Sequence, residues 1–327
     1  MSSMLSSLGR QGKTTGSLVR SKASPVNPRL ILLAVLIVAV AVIFSFLIPH
    51  FVSPNSLANL LRQTSVLAIV AFGATFVIVA GEIDLSVGSV VSLVAVLTAM
   101  MSRDNNPIPM MLASAATTGL AIGAANAFLI VKLRVPSFLA TLGTLSIVKG
   151  LAMTVSLQPV PVRSVDFVKF FRISFAGIPM PFILVLILLG LAVLLLNYSR
   201  FGVHTRAVGC NEKGARLAGL NTTRHRYIVL MLGSLFAAIG GVVLAGRTNY
   251  GMAQSAGGLE LDAISAAILG GSRLGGGIGS VAGTMLGAIL LTMIFVGIAN
   301  MGLPGPYQDI AKGALIGVAI LLMRKRG

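Results

Sequence analysis

The sequence predicts an all-α polytopic membrane protein of about ten transmembrane helices. Three observations carry that prediction. Of 327 residues, 56% are hydrophobic and only 10% are charged, whereas a soluble domain carries roughly a quarter charged residues. The apolar residues gather in runs close to the about 20 positions that a helix needs to cross the hydrocarbon core. The basic residues concentrate between alternate runs, the bias that orients multispan proteins.

The elements follow in order. Arg10, Lys13, Arg20, Lys22 and Arg29 precede a nearly unbroken Leu, Val, Ile and Ala run over 30–48, which ends at Pro49-His50-Phe51. That run is longer than the apolar region of a signal peptide and ends without a small-residue cleavage site, so it reads as a retained first span behind a basic cytoplasmic tail, 1–29. Further spans are predicted over 57–80, 86–101, 110–131, 137–157, 181–198, 226–246, 259–272, 280–299 and 306–323, with a short cytoplasmic tail at 324–327. The third and eighth are short and adjoin Gly-rich breaks. They read either as full crossings or as half-helices lining a cavity, where irregular backbone is tolerated. With the N-terminus inside, the inner segments hold seventeen Lys and Arg and the outer ones five, namely Arg103, Arg163, Lys169, Arg172 and Arg247.

The same distribution excludes other classes. A net charge of +17 would suit nucleic-acid binding, but its placement between apolar runs is that of a membrane protein, and no nucleic-acid partner is expected. A lone Cys210 forms no intrachain disulfide. His50, His204 and His225 lie far apart without metal-ligand spacing. No Ser-His-Asp or Cys-His set shares a membrane face, so the chain is read as non-catalytic, with no metal or cofactor of its own.

Two connections are long. The outer segment 158–180 holds a mixed stretch, Asp166 to Arg172, suited to a helix at the interface. The inner segment 199–225 is basic and Gly-punctuated, and Asn211 to Leu220 reads as a short amphipathic helix, with Ala215, Leu217 and Ala218 on one side and Lys213 and Arg216 on another. It is either a docking element for a soluble partner or a solvated loop on anionic lipid.

Four of the eight acidic residues fall in two similar motifs, Glu82-Ile-Asp84 before Ser86 and Glu260-Leu-Asp262. Each adjoins a Gly/Ser-rich helix start, and in the predicted topology the two lie at opposite faces. Two inverted halves, spans 2–5 and 7–10, would produce this. Intramembrane acids suggest a cavity or gate formed by Glu82, Asp84, Ser86, Glu260 and Asp262; capping of the following helices by the two Asp residues is the other reading. The Gly270-Gly271 and Gly276-Gly277 pairs lack the Lys-Ser/Thr of a phosphate loop and read as a tight turn. Beyond them, Gly279, Gly283 and Gly287 at spacing four predict close helix packing in lipid. Polar positions such as Thr64, Asn126, Thr141 and Thr144 read mostly as interhelical hydrogen-bonding groups, and Asp309 and Lys312 as a pair on one helix face.

The motif Gly81-Glu-Ile-Asp-Leu-Ser-Val-Gly-Ser89, the loop Gly209 to Leu220 with Asn211, Ala215, Arg216, Leu217, Ala218 and Gly219, and the stretch Glu260 to Thr284 resemble the ribose/xylose/galactoside permease family of ABC importers. The similarity runs from about residue 30 to the end. Glu82 and Gly214 depart from the small or neutral residue and the Ala common at those places. The resemblance implies a monosaccharide-translocating permease subunit in the bacterial inner membrane, of ten helices and with an architecture like that of the vitamin B12 permease. It implies a second permease subunit, an ABC ATPase that uses ATP and Mg, and a periplasmic sugar-binding protein as partners. The segment 209–220 would then be the coupling helix. An ion-coupled secondary transporter and an ABC permease for another small polar solute, such as an amino acid, are the alternatives.

Overall fold

The computed structural model describes residues 28–104 and 106–308, with 310, 311, 313, 314 and 317 beyond them. Among these residues there are twelve α-helices: α1 (Pro28–Leu47), α2 (Pro54–Val79), α3 (Val87–Arg103), α4 (Ile108–Ala127), α5 (Ser137–Val155), α6 (Val165–Arg172), α7 (Met180–Asn197), α8 (Arg200–Cys210), α9 (Glu212–Leu217), α10 (Thr222–Thr248), α11 (Leu259–Leu269) and α12 (Val281–Asn300). A π-helical turn, Phe128–Lys132, extends α4. Seven helices are long and apolar enough to cross a membrane, and α3, at 17 residues, is a shorter apolar one. The first nine predicted spans each coincide with a helix to within a few residues. The Asp309–Lys312 pair, most of the tenth span and the two tails lie outside the described residues.

Local signals set the helix starts. Ser53 Oγ accepts from Ser56 N–H ahead of Pro54, whose fixed φ suits a first turn. Ser280 Oγ accepts from Gly283 N–H at 3.1 Å to open α12. Neither Asp84 nor Asp262 is a cap, contrary to one of the two readings above: Ser86 and Gly258 occupy the cap positions of α3 and α11, and neither makes a side-chain capping bond.

The centre of the bundle is α2 crossing α10. Phe72 and Phe76 are fully buried, and Phe76 stacks on Phe236 with centroids 6.1 Å apart. Around them, α10 packs on α3 and α4, and α2 packs on α11 and α12. The pair α3–α4 is matched by α11–α12. Exchanging α2 with α10, α3 with α11 and α4 with α12 thus leaves the packing scheme unchanged, as expected for two repeats. The peripheral α1 and α7 present Val38, Phe46, Ile187 and Leu191 outward, which costs little when the surrounding solvent is lipid tail.

The eighth predicted span is a half-helix. At 1.5 Å per residue the eleven residues of α11 reach about 16 Å, short of the roughly 30 Å core. The chain stops being helical at Gly270, and Gly271 adopts φ +99°, which only glycine takes freely. Ahead of α11, residues 249–258 run back along α3, where Ala256 N–H donates to Ser92 Oγ at 3.2 Å. A two-residue strand pair ties this segment to the long connection 158–180, Val160 opposite Gly251. On that side α6 buries Phe167 and Phe171 and leaves Lys169 and Arg172 exposed, the pattern of an interfacial helix.

The glycine stripe packs α12 closely on α11. A Cβ at Gly283 would collide with the Gly270 carbonyl, and one at Gly287 with the Ala266 carbonyl. Both obstacles are backbone, so they cannot swing aside. Gly283→Ala is expected to cost about 1–3 kcal/mol, lowering the melting temperature in detergent. Gly190→Ala, at a position where a Cβ meets nothing within 4 Å, should leave it unchanged or raise it.

Candidate functional site

The connection 199–221 folds into a compact knot. Ser199 caps α8, Asn211 caps α9 with Oδ1 accepting from Gly214 N–H at 2.9 Å, and Asn221 caps α10 through Arg224 N–H at 2.9 Å. After α9 the chain reverses at Gly219, with φ +87°, while Leu220 N–H returns to Ala215 O at 3.1 Å. Three caps and a left-handed glycine fix a six-residue helix that would not persist alone. Its sides differ from the sequence expectation. Ala215 is buried, whereas Leu217 is 90% exposed, together with Lys213, Arg216, Ala218 and Gly219. Residues two apart lie on opposite faces of a helix, so Ala215 anchors the element and Leu217 projects from it.

The knot is tied to the bundle in two ways. The first is steric. Gly277 N–H donates to Val79 O at 2.8 Å, and a Cβ at Gly209 would collide with that same Val79 carbonyl. The end of α8, the end of α2 and the glycine turn before α12 thus meet at backbone contact. Gly276 and Gly277, both at positive φ, form that turn, and Gly279 packs on Val79.

The second tie is ionic and centres on Arg226, in the first turns of α10. Its guanidinium pairs with Glu82, with Nε donating to Oε1 at 2.7 Å, and reaches Glu212 Oε2 at 3.3 Å. Glu212 Oε1 in turn accepts from Arg216 at 2.8 Å and from Thr222 Oγ1 at 3.3 Å. Glu82 is 6% exposed. A carboxylate so enclosed is tolerable because the guanidinium offers it charge and donors together. Arg226, Glu212 and Thr222 were not among the candidates from sequence. The Glu212–Arg216 spacing of four is a readable signal, but Glu82 and Arg226 are 144 residues apart and nothing local joins them.

The acidic candidates have separate surroundings. Glu82 is drawn to the knot. Asp84 is buried beside Ser86, its Oδ1 accepting from Ser86 N–H at 2.8 Å and Oγ–H at 2.6 Å, and Asn126 donates to the same hydroxyl at 2.9 Å. Thr141 Oγ1 accepts from Leu85 N–H at 3.1 Å, so α4 and α5 both clamp the 80–86 segment. Asp262 lies with Gln63, Arg247 and Thr292 around one cavity, while Glu260 lines another.

Comparisons with known proteins agree with this architecture. The chain is 36% identical to the ribose import permease protein RbsC of Escherichia coli K12, over 90% of this chain and 93% of that protein. It is 35% identical to RbsC of Bacillus subtilis, over 87% and 89%, and 32% identical to the L-arabinose transport system permease protein AraH of E. coli K12, over 90% and 89%. Among solved structures, an inward-facing conformation of a transporter described as metal-chelate ABC type aligns with a TM-score of 0.56 at 17% identity, over 90% of this chain and 99% of that one. That likeness supports the fold alone. The description "branched-chain amino acid transport system / permease component" covers residues 56–322, and the chain belongs to that family of multi-pass membrane permeases.

Proposed function

We propose that this chain is the membrane-spanning subunit of an ATP-driven importer of a monosaccharide of the ribose or arabinose type, in the bacterial plasma membrane with both termini in the cytoplasm. The observation that carries the reading is the coincidence of two facts. Relatives at 32–36% identity over most of their length are named as ribose and arabinose permeases. The surface that this reading places in the cytoplasm also offers a capped helix with an exposed apolar tip, Leu217, among basic side chains.

In this reading α9 seats in a groove of a partner ATPase, which holds the ATP and Mg, while the permease itself is not catalytic. A rigid element transmits displacement only if it is joined to the bundle, and the joints are Gly209 on Val79 and Gly277, and Arg226 between Glu212 and Glu82. Movement of α9 thereby reaches α2, α10 and the 80–86 segment, and shifts the permease between inward-open and outward-open states. A second permease subunit completes the path, and an external binding protein delivers the sugar. Of the two acids an ion-coupled transporter could use, Glu82 and Asp84, the first is held by Arg226 rather than free to take up a cation. The amino-acid alternative rests on the family's description, against the sugar names of the relatives. Copurification tests the reading: a tagged chain taken from its native host is expected to bring down an ABC ATPase and a sugar-binding protein encoded beside it. Recovery of the chain alone, at full yield and under gentle extraction, would contradict it.

A further inference from the structure

Twelve residues beyond Ser137, about 18 Å along α5, Lys149 stands exposed in the middle of an apolar helix. Ammonium and carboxylate groups at such depth are costly against hydrocarbon and ordinarily face protein or a wet path. Lys149 faces a cavity of about 200 Å³ that it shares with Ser89, Ser92, Gln254 and Glu260. The cavity lies where the two repeats touch. Gly88 near the start of α3 meets Glu260 near the start of α11, and a Cβ at Gly88 would collide with the Glu260 carboxylate, so the glycine leaves the gap in which that carboxylate sits. Among the described residues, neither Lys149 nor Glu260 forms an ion pair within 4.0 Å. Both charges are available to a solute.

We propose that this cavity is a substrate subsite on the translocation path, built for a polyhydroxylated ring; the proposal rests on the sugar-import reading above. The volume holds roughly six or seven waters, the scale of one sugar ring. Glu260 accepts from neighbouring hydroxyls, and Lys149 and the Gln254 amide donate to hydroxyl or ring oxygens. A branched-chain amino acid would match the two charges but needs an apolar lining, and Leu145 is the one large apolar side chain there among the described residues. A few polar contacts without an aromatic platform bind weakly, which suits a site that must release its solute onward.

The test uses the complete importer, reconstituted with its ATPase and binding protein, and radiolabelled ribose, arabinose, galactose and leucine as probes. Glu260→Gln and Lys149→Met are expected to lower uptake of the imported sugar at least tenfold, while ATP hydrolysis stimulated by the loaded binding protein stays within twofold of wild type. In a Cys210→Ser background, Lys149→Cys is expected to react with a hydrophilic thiol reagent and to be protected by the sugar during turnover. If both charge variants import sugar within twofold of wild type, or position 149 does not react, the subsite is overturned and the sugar-import reading stands. If the wild type imports no sugar, or imports leucine instead, both readings fall.

Discussion

Replacing Arg226 with alanine is expected to destabilise the chain by about 3–5 kcal/mol, because it strands Glu82 in a nearly closed environment without its counter-ion. The loss should appear as a sharp fall in the amount of chain recovered from membranes and in its melting temperature in detergent. Arg216→Ala provides the contrast. Its partner Glu212 is shared with Arg226, and its own side chain is largely exposed, so the expected change is within about 1 kcal/mol. Removing both members of the enclosed pair separates structure from transmission. A buried ion pair replaced by apolar groups of similar size is often neutral, so Glu82→Leu with Arg226→Leu should recover most of the stability lost in Arg226→Ala. Transport should stay impaired, because the link to Glu212 is absent. Wild-type stability in the single variant would show that the pair contributes little. Wild-type uptake in the double variant would remove the ionic joint from the coupling route.

The second large effect is expected at Leu217. At 90% exposure its side chain supports nothing within the chain, so Leu217→Asp should insert and fold as wild type does. An apolar anchor in a desolvated groove contributes about 2 kcal/mol or more to an interface, which corresponds to roughly thirtyfold in affinity, and a carboxylate there adds a desolvation penalty. Sugar uptake and ATP hydrolysis stimulated by the binding protein should both fall by more than tenfold, with melting temperature unchanged. Ala215→Glu is a poorer probe, since Ala215 is buried and its replacement damages α9 itself. Undiminished uptake in Leu217→Asp would mean that α9 is not the seat of the ATPase.

The sequence made the bundle legible wherever one local property decided the outcome. The runs that became α1 and α7 are uninterrupted and lipid-facing, so hydropathy alone outlined them. The glycines at 271, 276 and 277 take the positive φ that their clustering implied, and Gly283 and Gly287 pack as their spacing of four predicted. At α11 the sequence left a full crossing and a half-helix both open, and the structure takes the second, because the Gly270-Gly271-Ser272 turn ends the helix after eleven residues. In the candidate site, Asn211 and the six-residue helix behind it were readable from a capping residue and a short amphipathic run. The grouping of Ala215 with Leu217 was an error of period rather than of missing information. What no local pattern carried is the long-range chemistry: Glu82 with Arg226, and Glu260 with Gly88. Those contacts exist only after the two repeats have crossed.

The account stands most directly on the source of the driving force. Proteoliposomes holding the chain, its ATPase and the external binding protein should accumulate radiolabelled sugar only when ATP and Mg are supplied on the ATPase side, with or without a proton or Na⁺ gradient. Accumulation by the chain alone, driven by either gradient and indifferent to ATP, would contradict it.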